Sequence, residues 1–208
     1  MTGPAPALWL VRADPRAVPS SLDAGERRRA RALTRPEIRS RYICAHTALR
    51  RLLADRLGIA PGEVVYTREP CPVCGAPHGR PAVAGAATHF SLAYSGGLSL
   101  IALADTPVGV DMECVPSTRA VAGLVPELHP REQAELAALP EDERALAFAL
   151  TWVRKEAYLK GLGTGLARGL ALDYVGSEAA PGEAAPGWTI EDVSVDASRA
   201  AAVAVRRR

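Results

Sequence analysis

Asp111 and Glu113 stand two residues apart in the stretch PVGVDMECV, residues 107–115. Val108, Val110 and Met112 alternate there with Gly109, Asp111 and Glu113, the two-residue period of a β-strand. On such a strand both carboxylates project from one face, roughly 7 Å apart along the chain. Like charges at that spacing repel. Either the strand faces solvent, or a hard cation between them takes oxygen ligands from both. A third acid lies in WVRKEAYLKG, residues 152–161, where Glu156 precedes Lys160 by one helical turn, the favourable order for a helix ion pair. A surface salt bridge would account for that pair, but Trp152, Tyr158 and Leu159 flank it and predict a partly buried helix end. Three carboxylates from a strand and a helix, with water and phosphate oxygens completing the shell, would make a Mg²⁺ site.

The cations carry their own pattern. Lys155 and Lys160 are the two lysines of a chain that otherwise uses Arg, as a GC-rich coding bias favours. Their closeness suggests positions that need a compact ammonium, with chance clustering as the alternative. Residues 1–106 hold 14 Arg against 8 acids, a net +6, whereas residues 107–208 hold 11 Lys or Arg against 15 acids, a net −4. A basic half and an acidic half suit a ligand with phosphates on one side and a metal on the other, although charge also drifts along any chain. Cys71, Cys74 and His78 in CPVCGAPH have spacing that a zinc knuckle could use, but no second C-x-x-C pair exists. A loop with free thiols is the competing reading.

Positioning these groups falls to a recognisable series of elements. ALWLVRA near the start reads as a strand, and Ser20 or Ser21 is placed to cap a helix through LDAGERRRARAL. Pro36 opens a second helix, with Ile38, Tyr42, Ala45, Leu49, Leu52, Leu53 and Leu57 as its apolar stripe and Gly58 as its C-cap. Val64–Thr67 read as a strand, followed by a Cys-, Pro- and Gly-rich loop to Pro81. HFSLAYS, LSLIALAD and PVGVDMECV are extended, the first two joined by the hairpin pair Gly96-Gly97. REQAELAAL and residues 141–160 are helical, and short strands are predicted near LDYVG, WTIEDVSV and RAAAVAVR. SEAAPGEAAPG reads as an insertion-tolerant loop. The class is α+β, with two lobes, 1–106 and 107–208, meeting near residue 106.

GVDMEC followed by WVRKEAYLKGLGTGL resembles the paired motifs G-V/I-D-x-E and W-x-x-K-E-A-x-x-K of the surfactin-type phosphopantetheinyl transferases, in the W-x-x-K-E-A subgroup. HGRPAVAG is similar to that family's G-K-P stretch, HFSLAYSGG to its F-N-I/L-S-H-S strand, and RSRYICAHTALRRLLA to its arginine-bearing helix. Together they span roughly residues 20–175. The resemblance implies two similar lobes related by pseudo-two-fold symmetry, with the active site between them. It implies transfer of the 4'-phosphopantetheine arm of coenzyme A to a serine of an apo acyl or peptidyl carrier protein, releasing 3',5'-ADP. By the same resemblance Asp111, Glu113 and Glu156 hold Mg²⁺, and Glu156 is the favoured general base. Lys155 and Lys160 contact phosphates, Arg80 takes the 3'-phosphate, and Arg29 and Arg41 align with basic positions in the nucleotide pocket.

Two departures stand out. Ala93-Tyr94 replaces Ser-His, and Ser91 replaces Asn. Tyr94 offers a neutral hydrogen bond where the family has a group that can become cationic, which predicts a slower enzyme. A noncatalytic relative that binds coenzyme A or carrier proteins is the alternative. ERRRARAL and the final RRR form no convincing nucleic-acid surface, because aromatic residues make up only 5% and the second half is acidic. Nor is there an apolar run long enough to span a bilayer, and no leader pattern opens the chain. A cytoplasmic monomer without structural disulfides is the expectation.

Overall fold

The computed structural model describes residues 5–177 and 186–208. Strand β1, Ala7–Arg12, opens the chain as its sequence predicts. Helix α1, Ala24–Ala32, is capped by Asp23 rather than by Ser20 or Ser21. Asp23 Oδ1 accepts from the Glu26 N–H at 2.8 Å, and Glu26 Oε2 accepts from the Asp23 N–H at 2.9 Å. This reciprocal box satisfies two donors that the helix leaves open, which a lone serine cannot do. Helix α2, Pro36–Leu57, begins with its proline in the first turn and ends at Gly58 with φ 68°. It buries Ile43, Ala45, Leu49, Leu53 and Ala54, while Ile38, Tyr42, Leu52 and Leu57 lie half-buried at the edge of that face.

Strand β2, Tyr66–Arg68, pairs antiparallel with β3, Pro81–Val83, a strand that has no counterpart in the sequence reading and begins where the expected loop ends. Strands β4, His89–Ser95, and β5, Leu98–Ala104, turn through Gly96, whose φ of 55° explains the glycine there. With β1 they form a three-stranded antiparallel sheet ordered β1-β5-β4. Strand β6, Val108–Cys114, begins the second half, followed by α3, Thr118–Leu124, α4, Pro130–Ala138, and α5, Glu141–Leu162. Helix α3, capped by Ser117, has no counterpart in the sequence reading; at 7 residues it is too short to show a period. LDYVG forms bends and irregular backbone and not a strand, and its Val175 N–H is taken by the Glu132 carboxylate at 2.8 Å. Strands β7, Trp188–Asp192, and β8, Arg199–Arg206, complete an antiparallel sheet ordered β6-β8-β7. Residues 178–185 of the expected SEAAPGEAAPG loop lie outside the described residues. The α+β class therefore holds: helices packed on antiparallel sheets.

Four layers result. Leu49 and Leu53 of α2 pack on Phe90, Ile101 and Leu103 of the first sheet. That sheet's opposite face, with Leu100 and Ala102, meets Val108, Val110 and Met112 of β6. Ala149, Val153 and Ala157 of α5 cover the far face of the second sheet against Ala200, Ala202 and Ala204. Between the sheets, the Val110 N–H donates to Ser91 Oγ at 3.0 Å, and Ser95 Oγ meets Cys114 Sγ at 3.4 Å. Both contacts have a separation of 19 residues, so β4 and β6 run side by side in one direction. Among the described residues no helix is long and apolar enough to cross a membrane.

Helix α5 approaches β6 more closely than ordinary side chains permit. A Cβ on Gly109 would lie 1.9 Å from the Ala157 carbonyl oxygen and 2.5 Å from the Gly161 nitrogen. On the helix side, a Cβ on Gly161 would meet the Trp188 ring at 2.6 Å. Small alanines along β8 extend this flat seat. In Gly109→Ala both opposing atoms are backbone and cannot rotate away, so the helix must lift. The expected outcome is a loss of about 1–3 kcal/mol of stability, read as a lower denaturant midpoint. An unchanged midpoint would show that the helix has room to spare.

Candidate active site

The close seat of α5 decides which charges meet. Gly109, Asp111 and Glu113 share the face of β6 that α5 covers, while Val108, Val110 and Met112 point into the packing between the sheets. Asp111 is buried and Glu113 is exposed at the strand end. Lys160, on the last turn of α5, reaches across to Asp111 Oδ1 at 2.6 Å. The helix pair expected between Glu156 and Lys160 gives way to this bridge, because a buried carboxylate gains more from an ammonium than a half-exposed one does.

Asp111 Oδ2 is buried with no hydrogen-bond partner. Burial raises the Glu156 carboxyl above its ordinary range, and the charge of Asp111 raises it further. Glu113 is raised likewise, first by partial desolvation at its exposed strand end, then by Asp111 and Glu156, while Lys160 and Arg41 pull the other way. The three acids thus feel one another, and a single ammonium only partly offsets them. An unpaired buried oxygen within a set of hard oxygen donors is what a divalent cation such as Mg²⁺ would satisfy. Their oxygens do not converge as tightly as Cys71, Cys74 and His78, whose ligand atoms all lie within 4.8 Å of one another.

Next to this cluster lies a cavity of about 890 Å³, with Lys160 in its wall. Tyr94 and Ser91 of β4, His46 of α2, Arg80 of the 69–80 loop and Thr164 also line it. Its walls therefore come from both halves of the chain. Arg80 is part-buried: it donates to the Gly161 carbonyl at 2.7 Å and pairs with Glu69 at 2.7 Å, and its Nε has no partner. Burial raises the Tyr94 hydroxyl well above the ordinary phenol range, so it stays a neutral donor. The Arg41 guanidinium lies 5.1 Å from the centre of the Tyr94 ring and donates to the Gly96 carbonyl at 2.6 Å. A cation thus stands beside the position where the resemblance expects histidine.

Two expected phosphate ligands are placed elsewhere. Lys155 Nζ is bonded to Glu132 at 2.8 Å and to the Asp173 carbonyl, and its side chain is 3% exposed against 33% for Lys160. Five helical residues separate the two lysines by roughly 140° around the axis, so they cannot share a face. Lys155 ties α4 and the 173–175 segment to α5 and does not line the cavity. Arg29 is exposed on α1 and does not line the cavity.

Sequence reasoning missed the group behind the cavity's first-half wall. Arg50, fully buried, joins Glu26 at 2.5 Å and Asp23 at 2.5 Å and donates to the Pro61 and Val64 carbonyls. His46 Nδ1 meets Glu26 Oε1 at 2.9 Å, and both residues line the cavity. The spacing of His46 and Arg50, one turn apart on α2, was the available signal.

Residues 107–185, which carry all three acids and both lysines, match the 4'-phosphopantetheinyl transferase superfamily. The chain is 31% identical over 194 residues to the 4'-phosphopantetheinyl transferase HetI of Nostoc sp., covering 89% of this chain and 79% of that one. It is 29% identical over 159 residues to the 4'-phosphopantetheinyl transferase of Bacillus subtilis, covering 73% and 69%. A putative 4'-phosphopantetheinyl transferase of Synechocystis sp. is 29% identical over 175 residues, covering 80% and 68%. The chain belongs to the 4'-phosphopantetheinyl transferase superfamily and is an enzyme of that family.

Two predictions follow from the charge networks around the site. Lys155→Met leaves Glu132 buried without its cation, and stability should fall by about 3–5 kcal/mol in urea denaturation. An unchanged midpoint would overturn the structural role given to Lys155. The Glu26 carboxyl is raised by burial, but bonds from His46, the Asp23 N–H and Arg50 outweigh this and hold it below its ordinary 4.5. A depressed carboxyl contributes stability above pH 4.5 and loses it as pH falls through the lower folded value. Glu26→Gln should therefore melt below the wild type at pH 7, with the gap closing as the solution is acidified. A gap that stays constant with pH would refute this.

Proposed function

We propose that this enzyme transfers the 4'-phosphopantetheine group of coenzyme A to a serine hydroxyl of an apo acyl or peptidyl carrier protein. The observation that carries the reading is the double membership of Lys160, which bridges Asp111 and lines the cavity. That arrangement brings the cavity and the acid cluster together at one ammonium. The cavity's volume is in the range of small-molecule sites, and Arg80, Lys160 and Tyr94 give it polar anchors for a phosphorylated nucleotide, with Arg41 beside the Tyr94 ring but outside the lining. The motif WVRKEA supports placing the chain in the W-x-x-K-E-A subgroup.

Asp111, Glu113 and Glu156 would hold Mg²⁺, which when bound neutralises charge on the pyrophosphate of coenzyme A. Lys160 orients Asp111 and presents its ammonium to phosphate oxygen. Glu156 takes the serine proton directly or through water. The serine oxygen forms a new bond to phosphorus, the bond from phosphorus to the bridging oxygen breaks, and 3',5'-ADP leaves with that oxygen. Arg80 holds the 3'-phosphate, and Arg41 supplies beside Tyr94 the positive charge that a histidine would otherwise bring.

We read residues 1–106 and 107–208 as two lobes related by pseudo-symmetry, acting within one cytoplasmic monomer. Support comes from a repeated plan: each half has a 22-residue helix on a three-stranded antiparallel sheet in which the half's last strand is central. A second reading, a catalytically weakened member that binds coenzyme A but scarcely transfers, is favoured by Tyr94 in the place of histidine. Weighing apo carrier protein after incubation with coenzyme A and Mg²⁺ separates the two. A gain of one phosphopantetheine supports transfer, and Asp111→Asn should slow it by about 100-fold or more with the fold intact by circular dichroism. Bound coenzyme A with no mass gain on any of a panel of carriers would favour the second reading.

A further inference from the structure

The 69–80 loop holds a second set of chemistry-bearing side chains that the transfer reaction does not use. Cys71 Sγ, Cys74 Sγ and a His78 ring nitrogen lie within 4.8 Å of one another, with Cys74 Sγ 3.0 Å from His78 Nε2. We propose that Cys71, Cys74 and His78 form a zinc site, with a fourth position open to water, that fixes the tip of this loop beside the cavity.

Backbone geometry supports the assignment. Gly75, directly after Cys74, has φ 74°, which lets the chain curl back around the sulfur atoms. The Gly75 N–H donates to the Cys71 carbonyl at 2.7 Å, and the Cys71 N–H donates to the Ala76 carbonyl at 2.8 Å. The N–H groups of Cys74 and Val73 point at the Cys71 sulfur, donors that a metal-bound thiolate would accept from. Thiolate and imidazole donors select a borderline-soft ion, and the carboxylates on β6 and α5 are the opposite, hard set. A tetrahedral zinc with Zn–S near 2.3 Å and Zn–N near 2.0 Å spaces its ligand atoms by roughly 3.5–3.8 Å, so small rotations complete the site.

Among the described residues, the loop has no other anchor at its tip. Its base is closed by Glu69, whose N–H donates to the Arg80 carbonyl at 3.1 Å and whose carbonyl accepts from the Gly79 N–H at 2.9 Å. Beyond that, Val73 is 60% exposed and Cys71 is the loop's buried apolar side chain. A segment without a core of its own is where a metal cross-link contributes most. His78 and Arg80 both line the cavity, so a fixed tip would also fix one wall of it.

The test is the metal content of the full chain, purified under reducing conditions and dialysed against metal-free buffer. About one zinc per chain is expected, and cobalt in its place should give tetrahedral bands with sulfur-to-metal charge transfer. Cys74→Ser and His78→Ala alter exposed side chains and should retain at least about 10-fold less zinc while remaining folded. Asp111→Asn should keep its zinc, which separates this site from the acid cluster and makes the result independent of whether the enzyme transfers phosphopantetheine. No retained zinc together with no cobalt spectrum overturns the proposal. So do zinc levels unchanged in both loop variants, or a Cys71–Cys74 disulfide in protein purified without oxygen.

Discussion

Helix α5 rests on strand β6 at a point where no side chain fits, and the geometry of the site depends on that contact. Gly109 allows the carbonyl of Ala157 to come within the space a methyl group would fill. The alanines of β8 continue the same flat surface under Val153 and Ala149. With a larger residue at Gly109 the helix would stand off, and Lys160 would no longer reach Asp111 at 2.6 Å. Backbone-to-backbone packing, more than any single polar contact, sets the distance between the strand's acids and the helix's acid and ammonium.

Buried charges in this fold divide into those that are satisfied and those that are not. Arg50, Arg154 and Lys155 each meet a carboxylate and at least one backbone carbonyl, so their desolvation is offset and they hold elements together. Asp111 is different. One of its oxygens has Lys160 and the other has nothing, while two further acids crowd the same surface. An open carboxylate oxygen in a low-dielectric setting costs more than an open hydroxyl, so it marks this cluster off from the paired ones. The same criterion separates the two lysines: Lys155 is enclosed by its partners, and Lys160 faces the cavity.

The cavity draws on both halves because three connections converge on it. Ser91 ties β4 to β6, Arg80 ties the 69–80 loop to the end of α5, and Lys160 ties α5 back to β6. Each joins residues far apart in the chain, so the cavity exists only once the two sheets have packed. Tyr94 sits in this wall with Arg41 over its ring, which keeps positive charge where a neutral phenol alone would supply none.

Local order was largely legible in the sequence. The alternation through Val108–Cys114, the Gly96-Gly97 turn, Pro36 and Gly58 at the ends of α2, and the acids opening α5 each act within a few residues, and the corresponding elements form where they predict. The motifs around Asp111 and Glu156 likewise pointed to the family. What the sequence did not disclose was partnership. Lys155 and Lys160 look alike in a linear string, yet a rotation of roughly 140° sends one into Glu132 and the other to Asp111. Glu26, an acid beside the arginines of ERRRARAL, turns inward to cap α1 and bind Arg50 and His46. The chain alone determined which groups were available and which segments would be strand or helix, because propensity and periodicity are local. Tertiary structure decided which charges were neutralised and which were left facing the cavity, because desolvation and pairing depend on neighbours brought together only by packing.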